Sequence, residues 1–229
     1  MSTVESEAFM DSFWSTIYGT DRTMEANKQH PERYLFVANT LFRPFSEIMT
    51  TVEMMECIPI YVRNFPFKKH GVSKTRYIQY HVGNYFVEVG NLRNRLILFV
   101  QGIKKAYRNA NDNKKIAGVM KSLNEYIISS FKGVQAIRDE HIHQFRYTGV
   151  SVNRLSTLEL CRKFDYSFKQ AISIDYLYES AFREGRRLWS KHITGELKVI
   201  QEILDNYFKI VIETITSDRG IIYPADVSI

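Results

Sequence analysis

An all-α helical bundle is the fold that this sequence predicts, on three observations. Five prolines and eleven glycines in 229 residues are too few for a turn-rich β fold. Ile78, Val82, Tyr85, Val89, Leu92, Leu96, Phe99 and Ile103 step by 4,3,4,3,4,3,4, so all of them fall on one helical face. Further apolar stripes at helical spacing recur on either side of that seam. With 45% hydrophobic and 24% charged residues, the chain has ordinary globular composition and the length to bury a real core.

Residues 1–30 are mixed and polar, with a short apolar-aromatic island of Phe13, Trp14, Ile17 and Tyr18, a pattern expected of an N-terminal arm or short docking helix. The first firm helix is expected from Pro31 or Glu32, where proline is tolerated, to about Cys57, with a kink or break at Pro44. Ile58 to Lys74, carrying Pro59, Arg63, Lys68 and Lys69, reads as a basic connection. The seam then predicts a helix from about Lys74 to Tyr107, roughly 50 Å long. Gly83, Gly90 and Gly102 weaken it in isolation, so bundle or dimer packing has to hold it.

Asn109 to Asn113 reads as a turn rich in N-cap residues. A third helix places Ile116, Met120, Leu123, Ile127, Val134 and Ile137 on one side. Thr148 to Arg154 reads as a connection, and Ser156-Thr157-Leu158-Glu159 has the form of a capping box. It would open a fourth helix with Leu158, Cys161, Phe164, Phe168 and Ile172 inward. An aromatic tract then leads to Arg183, Arg186, Arg187 and Lys191, a basic cluster that fits a solvated face or a phosphate contact. Gly195 predicts a break before a last amphipathic helix, Glu196 to Thr216. The domain reading is an arm over 1–30, a helical domain over 31–217 and a tail over 218–229.

Thirty-one basic against 25 acidic residues give a net charge of +6, which suits a phosphate-bearing partner. Cys57 and Cys161 are isolated and read as core thiols of a reducing compartment. His141 and His143 have no nearby cysteine to complete a metal set, and no glycine loop is built to cradle phosphate, so neither metal nor cofactor is expected. No N-terminal leader pattern and no apolar run of about 18–20 residues occurs, so a cytoplasmic protein that does not enter a membrane is expected.

The chemistry is concentrated in Ala136-Ile137-Arg138-Asp139-Glu140-His141-Ile142-His143-Gln144-Phe145-Arg146-Tyr147. A guanidinium can stabilise charge building on a phosphate. An imidazole, with an ordinary pKa of about 6.5, can take a proton from a 2′-hydroxyl or give one to a leaving oxygen. On a regular helix Arg138 and His143 lie about 140° apart, so a joint site needs the helix to end or distort between them. Asp139 and His143, at i,i+4, share a face, which would let Asp139 orient the imidazole. A solvated helix end with incidental ion pairs is the other reading that these residues allow.

Arg138-Asp139-x3-His143, following a long helix in an all-helical chain, resembles the signature of the HEPN superfamily (higher eukaryotes and prokaryotes nucleotide-binding domains). Tyr77-Ile78-Gln79-Tyr80-His81-Val82-Gly83-Asn84-Tyr85-Phe86, running into Asn91-Leu92-Arg93-Asn94-Arg95-Leu96, is similar to the second helix of bacterial members. The resemblance spans roughly Lys74 to Gly149, about a third of the chain. The His-x-Tyr form carried by some toxins of that family is not present, since position 145 is Phe. The resemblance implies a HEPN-like helical bundle with long antiparallel helices and extra flanking helices. It also implies a metal-independent endoribonuclease of a defence or toxin type, with an antitoxin or other protein as partner. Arg138 and His143 would be catalytic, Asp139 would orient, and His141, Arg146 and Tyr147 would contact RNA. The alternative within the family is a non-catalytic module that binds a partner protein or nucleotide. One well-placed histidine per chain predicts a homodimer, because 2′-oxygen attack needs both a base and an acid.

Overall fold

The seam at 78–103 is realised almost residue for residue. In the computed structural model, which describes residues 31–66, 71–110, 113–133, 149–164, 173–217 and 220–224, every one of its eight members is buried. The described elements are α1 (Pro31–Phe36), a π-helical turn (Val37–Phe42), α2 (Arg43–Arg63), α3 (Lys74–Ala106), α4 (Asn113–Ser130), α5 (Val150–Lys163) and α6 (Ile174–Ile215), then a short antiparallel pair, β1 (Thr216–Ser217) and β2 (Gly220–Ile221). The protein is an all-α helical bundle, and no described helix is long and apolar enough to cross a membrane. Two compact units divide the chain: Met1–Thr50, Leu92–Phe131 and Lys198–Ile229 form the first, and Thr51–Asn91 and Lys132–Leu197 the second.

In the first unit, side-chain contacts fix the helix directions. Phe36 meets Tyr107 at 5.8 Å and Glu47 pairs with Arg95 at 3.1 Å, so the α1–α2 side runs antiparallel to α3. Phe45 and Phe99 both pack on Phe208 of α6. The buried Tyr207 hydroxyl donates to the Leu96 carbonyl at 2.8 Å. That bond satisfies a phenol which burial alone pushes well above its ordinary pKa. α4 contributes Ile116, Met120, Leu123 and Ile127 to the core.

The tail expected over 218–229 is corrected for Gly220 to Pro224. Thr216 pairs with Ile221, Ser217 with Gly220, and the Ile222 amide donates to the Ile215 carbonyl at 2.9 Å. The Tyr107 hydroxyl donates to the Ile222 carbonyl, and Tyr223 sits beside Phe36 and under the Arg33 guanidinium. Gly220, at φ 99°, supplies the left-handed conformation that this tight return needs.

The second unit uses the same directional logic. Tyr61 meets His81, and the Tyr77 hydroxyl reaches the Asn64 carbonyl, so α2 and α3 are antiparallel here too. Phe86 packs edge-on against Trp189 of α6. α5 and α6 form an antiparallel pair marked by Arg154–Glu184 at 3.3 Å and Arg162–Asp175 at 2.6 Å. Ser73, just before α3, donates to Glu159 of α5 at 2.9 Å.

The distortion expected at Pro44 takes the form of a π turn: Pro44 cannot donate to the Thr40 carbonyl, and the chain opens immediately before it, with the Arg43 amide reaching back to the Ala38 carbonyl. Three other boundary expectations are corrected, each for a physical reason. Ile58 to Arg63 is helix with Pro59 inside, because Ile58 and Val62 are buried and the helix end is capped by side chains described below. α5 starts at Val150, capped by Gly149, rather than at Ser156. The hydroxyls of Ser156 and Thr157 bond back to the Val152 and Asn153 carbonyls within the helix. Its buried residues are Val152 and Leu155, Leu158 and Cys161 are part-buried and Phe164 is exposed, while Phe168 and Ile172 lie outside the described residues.

Gly195 lies inside α6 rather than at a break. A glycine there costs about 1 kcal/mol relative to alanine, and burial of Ile193, Ile200 and Leu204 on the same helix offsets it. An added Cβ at Gly195 meets nothing within 4 Å. Gly195→Ala is therefore expected to stabilise the protein by roughly 0.5–1 kcal/mol, read as a rise in Tm. An unchanged or lower Tm would show that the glycine is needed where it stands.

Candidate functional site

Arg138, Asp139, His141, His143, Arg146 and Tyr147 all lie outside the described residues. The described chain resumes two positions beyond Tyr147, at Gly149, whose carbonyl accepts from the Val152 and Asn153 amides and starts α5. That point is one rim of a groove of about 370 Å³ in the second unit, lined by Gly149, Val150, Arg154, Glu184, Leu188 and Trp189 among others. Val150 and Leu188 expose apolar surface to it. Arg154 and Glu184, both about half exposed, form a surface ion pair across it, worth at most about 1 kcal/mol.

Next to Trp189 the same helix carries His192, ring to ring at 5.6 Å. Its Nε2 is 3.1 Å from one Glu196 oxygen, and the other oxygen accepts from the Tyr85 hydroxyl. Tyr85 is fully buried. Burial first, then its bond to Glu196 and the nearby negative charge, push the phenol far above its ordinary pKa, so it only donates. A buried phenol thus fixes a carboxylate that orients an exposed imidazole, an arrangement able to move a proton.

A second cluster closes the C-terminal end of α2. The Asn64 amide donates to the Ile60 and Tyr61 carbonyls, and the single Tyr77 proton is shared between the Tyr61 and Asn64 carbonyls, each at 2.9 Å. Arg186 donates to the Arg63 carbonyl at 2.8 Å while stacking over Phe182 at 4.7 Å. A cation at a helix C-terminus also complements its dipole. Of the basic cluster expected on the last helix, Arg186 therefore has a defined partner.

His81 sits half-buried at the centre of this cluster, with Tyr77 at 4.4 Å, Tyr80 at 5.2 Å and Tyr61 at 5.4 Å, ring to ring. Burial lowers its pKa below the ordinary 6.5. The unfolded chain therefore binds this proton more readily than the native one, and stability falls as pH drops through about 6.5. The prediction is that His81→Phe loses less Tm than the parent between pH 7.5 and 5.5. An identical loss in both would remove His81 from the account.

The sequence offered weak signals for these clusters. His192 and Glu196 are legible as an i,i+4 pair, but nothing near Tyr85 shows that it reaches Glu196, 111 positions away. Among the described residues no group of three His, Cys, Asp or Glu comes together to hold a metal, and Cys57 and Cys161 are free thiols, part-buried. No family model, no curated protein and no solved structure matches the chain.

Proposed function

We propose that the chain is a metal-independent endoribonuclease of HEPN type, acting in the cytoplasm in a defence or toxin role. The observation that carries the reading is Arg138-x4-His143, set between α4 and α5 of an all-helical chain of net charge +6. One imidazole removes the proton of a 2′-hydroxyl, whose oxygen attacks the adjacent phosphorus. The P–O5′ bond breaks, the 5′-oxygen takes a proton from a second imidazole, and the products are a 2′,3′-cyclic phosphate and a 5′-hydroxyl. Arg138 neutralises charge on the non-bridging oxygens, Asp139 orients His143, and His141, Arg146 and Tyr147 hold the RNA.

Two histidines per reaction and one His143 per chain make a homodimer the natural unit, with both copies of the segment facing one phosphate. An antitoxin or other protein partner fits the same role. The test is incubation of the purified dimer with a range of RNAs in EDTA at several pH values. Scission is expected. Intact RNA throughout would overturn the enzyme and favour a non-catalytic module.

A further inference from the structure

The cluster at the end of α2 has features that capping does not use. Tyr80 is 64% exposed and Tyr61 49% exposed. Among the described residues neither hydroxyl has a hydrogen-bond partner, and neither has either nitrogen of His81. The two exposed phenol rings thus flank the half-buried His81 ring. Arg76 stands one helical turn before Tyr80 on the same face of α3, exposed, and its guanidinium has no described partner.

Among the described residues Arg76, Arg63 and Arg186 have no carboxylate partner: Arg63 donates to the Ser190 hydroxyl and Arg186 to a backbone carbonyl. Arg76 thus brings an exposed positive charge beside the exposed Tyr80 ring. Rings that stack on bases beside guanidiniums that meet phosphates are the recognition chemistry of single-stranded nucleic acid.

We infer that Tyr61, Tyr80 and His81, with Arg76 beside them, form a stacking platform for single-stranded RNA, built from residues other than those of the Arg138–His143 motif. The inference rests on the ribonuclease reading only for the choice of RNA. Tyr80 and His81 each carry a base, Arg76 meets a phosphate, and the unengaged hydroxyls and imidazole nitrogens bond to base edges.

The test is anisotropy of a labelled 12-nucleotide oligoadenylate in EDTA, on the full chain carrying His143→Ala so that the RNA stays intact. Adding Tyr80→Ala or His81→Ala is expected to weaken binding about tenfold, and Tyr80→Phe, which keeps the ring, to stay within about twofold. Arg76→Ala should weaken binding and lower the salt slope by about one. No measurable binding by the His143→Ala chain, unchanged binding in Tyr80→Ala, or an equal loss in Tyr80→Phe would overturn the platform. Cleavage by the unsubstituted chain is read separately. A chain that binds through Tyr80 but cuts nothing retires the nuclease and leaves the platform. A chain that cuts, with binding indifferent to Tyr80, does the reverse.

Discussion

His143→Ala is expected to abolish RNA cleavage, and Arg138→Ala to reduce it about a hundredfold. The proposed reaction takes the 2′-hydroxyl proton and returns one to the 5′-oxygen through His143, because Arg138 stays charged throughout and His141 is assigned to holding the RNA. Removing the imidazole therefore removes the proton path, while removing the guanidinium leaves the path but forfeits charge stabilisation of about 3 kcal/mol. Asp139→Asn, which keeps shape and loses charge, should fall between the parent and His143→Ala. Rates on a labelled RNA, with thermal melts of each variant alongside, check this. Activity retained in His143→Ala would place the chemistry elsewhere, with His192 and its Glu196 partner the next residues to replace.

The largest expected effect on stability is at the seam. Leu92 is fully buried on α3. Replacing it with alanine removes its packing and leaves a cavity, at a cost of roughly 2–5 kcal/mol. Against a typical total of about 5–15 kcal/mol, that is enough to lower the urea midpoint severely. Leu98, on the same helix but 64% exposed, is the control: Leu98→Ala should cost little. Equal effects at the two positions would contradict the burial pattern of α3.

What was legible in the sequence follows from which forces are local. The 4,3 stepping of α3 is set by burial on one face, and Ile78 to Ile103 are buried as the pattern requires. Boundaries went astray where distant side chains decide them. Pro59 looks like a helix stop, yet Tyr77 and Arg186, the latter 123 positions beyond Arg63, satisfy the carbonyls that let α2 run to Arg63. Ser156-x-x-Glu159 looks like a helix start, but Glu159 accepts from Ser73 instead of turning back on the Ser156 amide. Gly195 looks like a break, yet α6 is held by its buried face. The Tyr61–Tyr77–Tyr80–His81 cluster was out of reach for the same reason, since Tyr61 and His81 approach only once α2 and α3 have folded together. The motif itself was legible only as residue chemistry and resemblance, and its six residues stand outside the described structure.

The most direct measurement of the central claim is the identity of the ends that the protein leaves on RNA. Products of a reaction run in EDTA are analysed by mass spectrometry, beside a substrate with a single 2′-deoxynucleotide at the cut position. The account predicts a 2′,3′-cyclic phosphate and a 5′-hydroxyl, with the deoxy-substituted position resistant. A 3′-hydroxyl with a 5′-phosphate, or cutting at the deoxynucleotide, would contradict it.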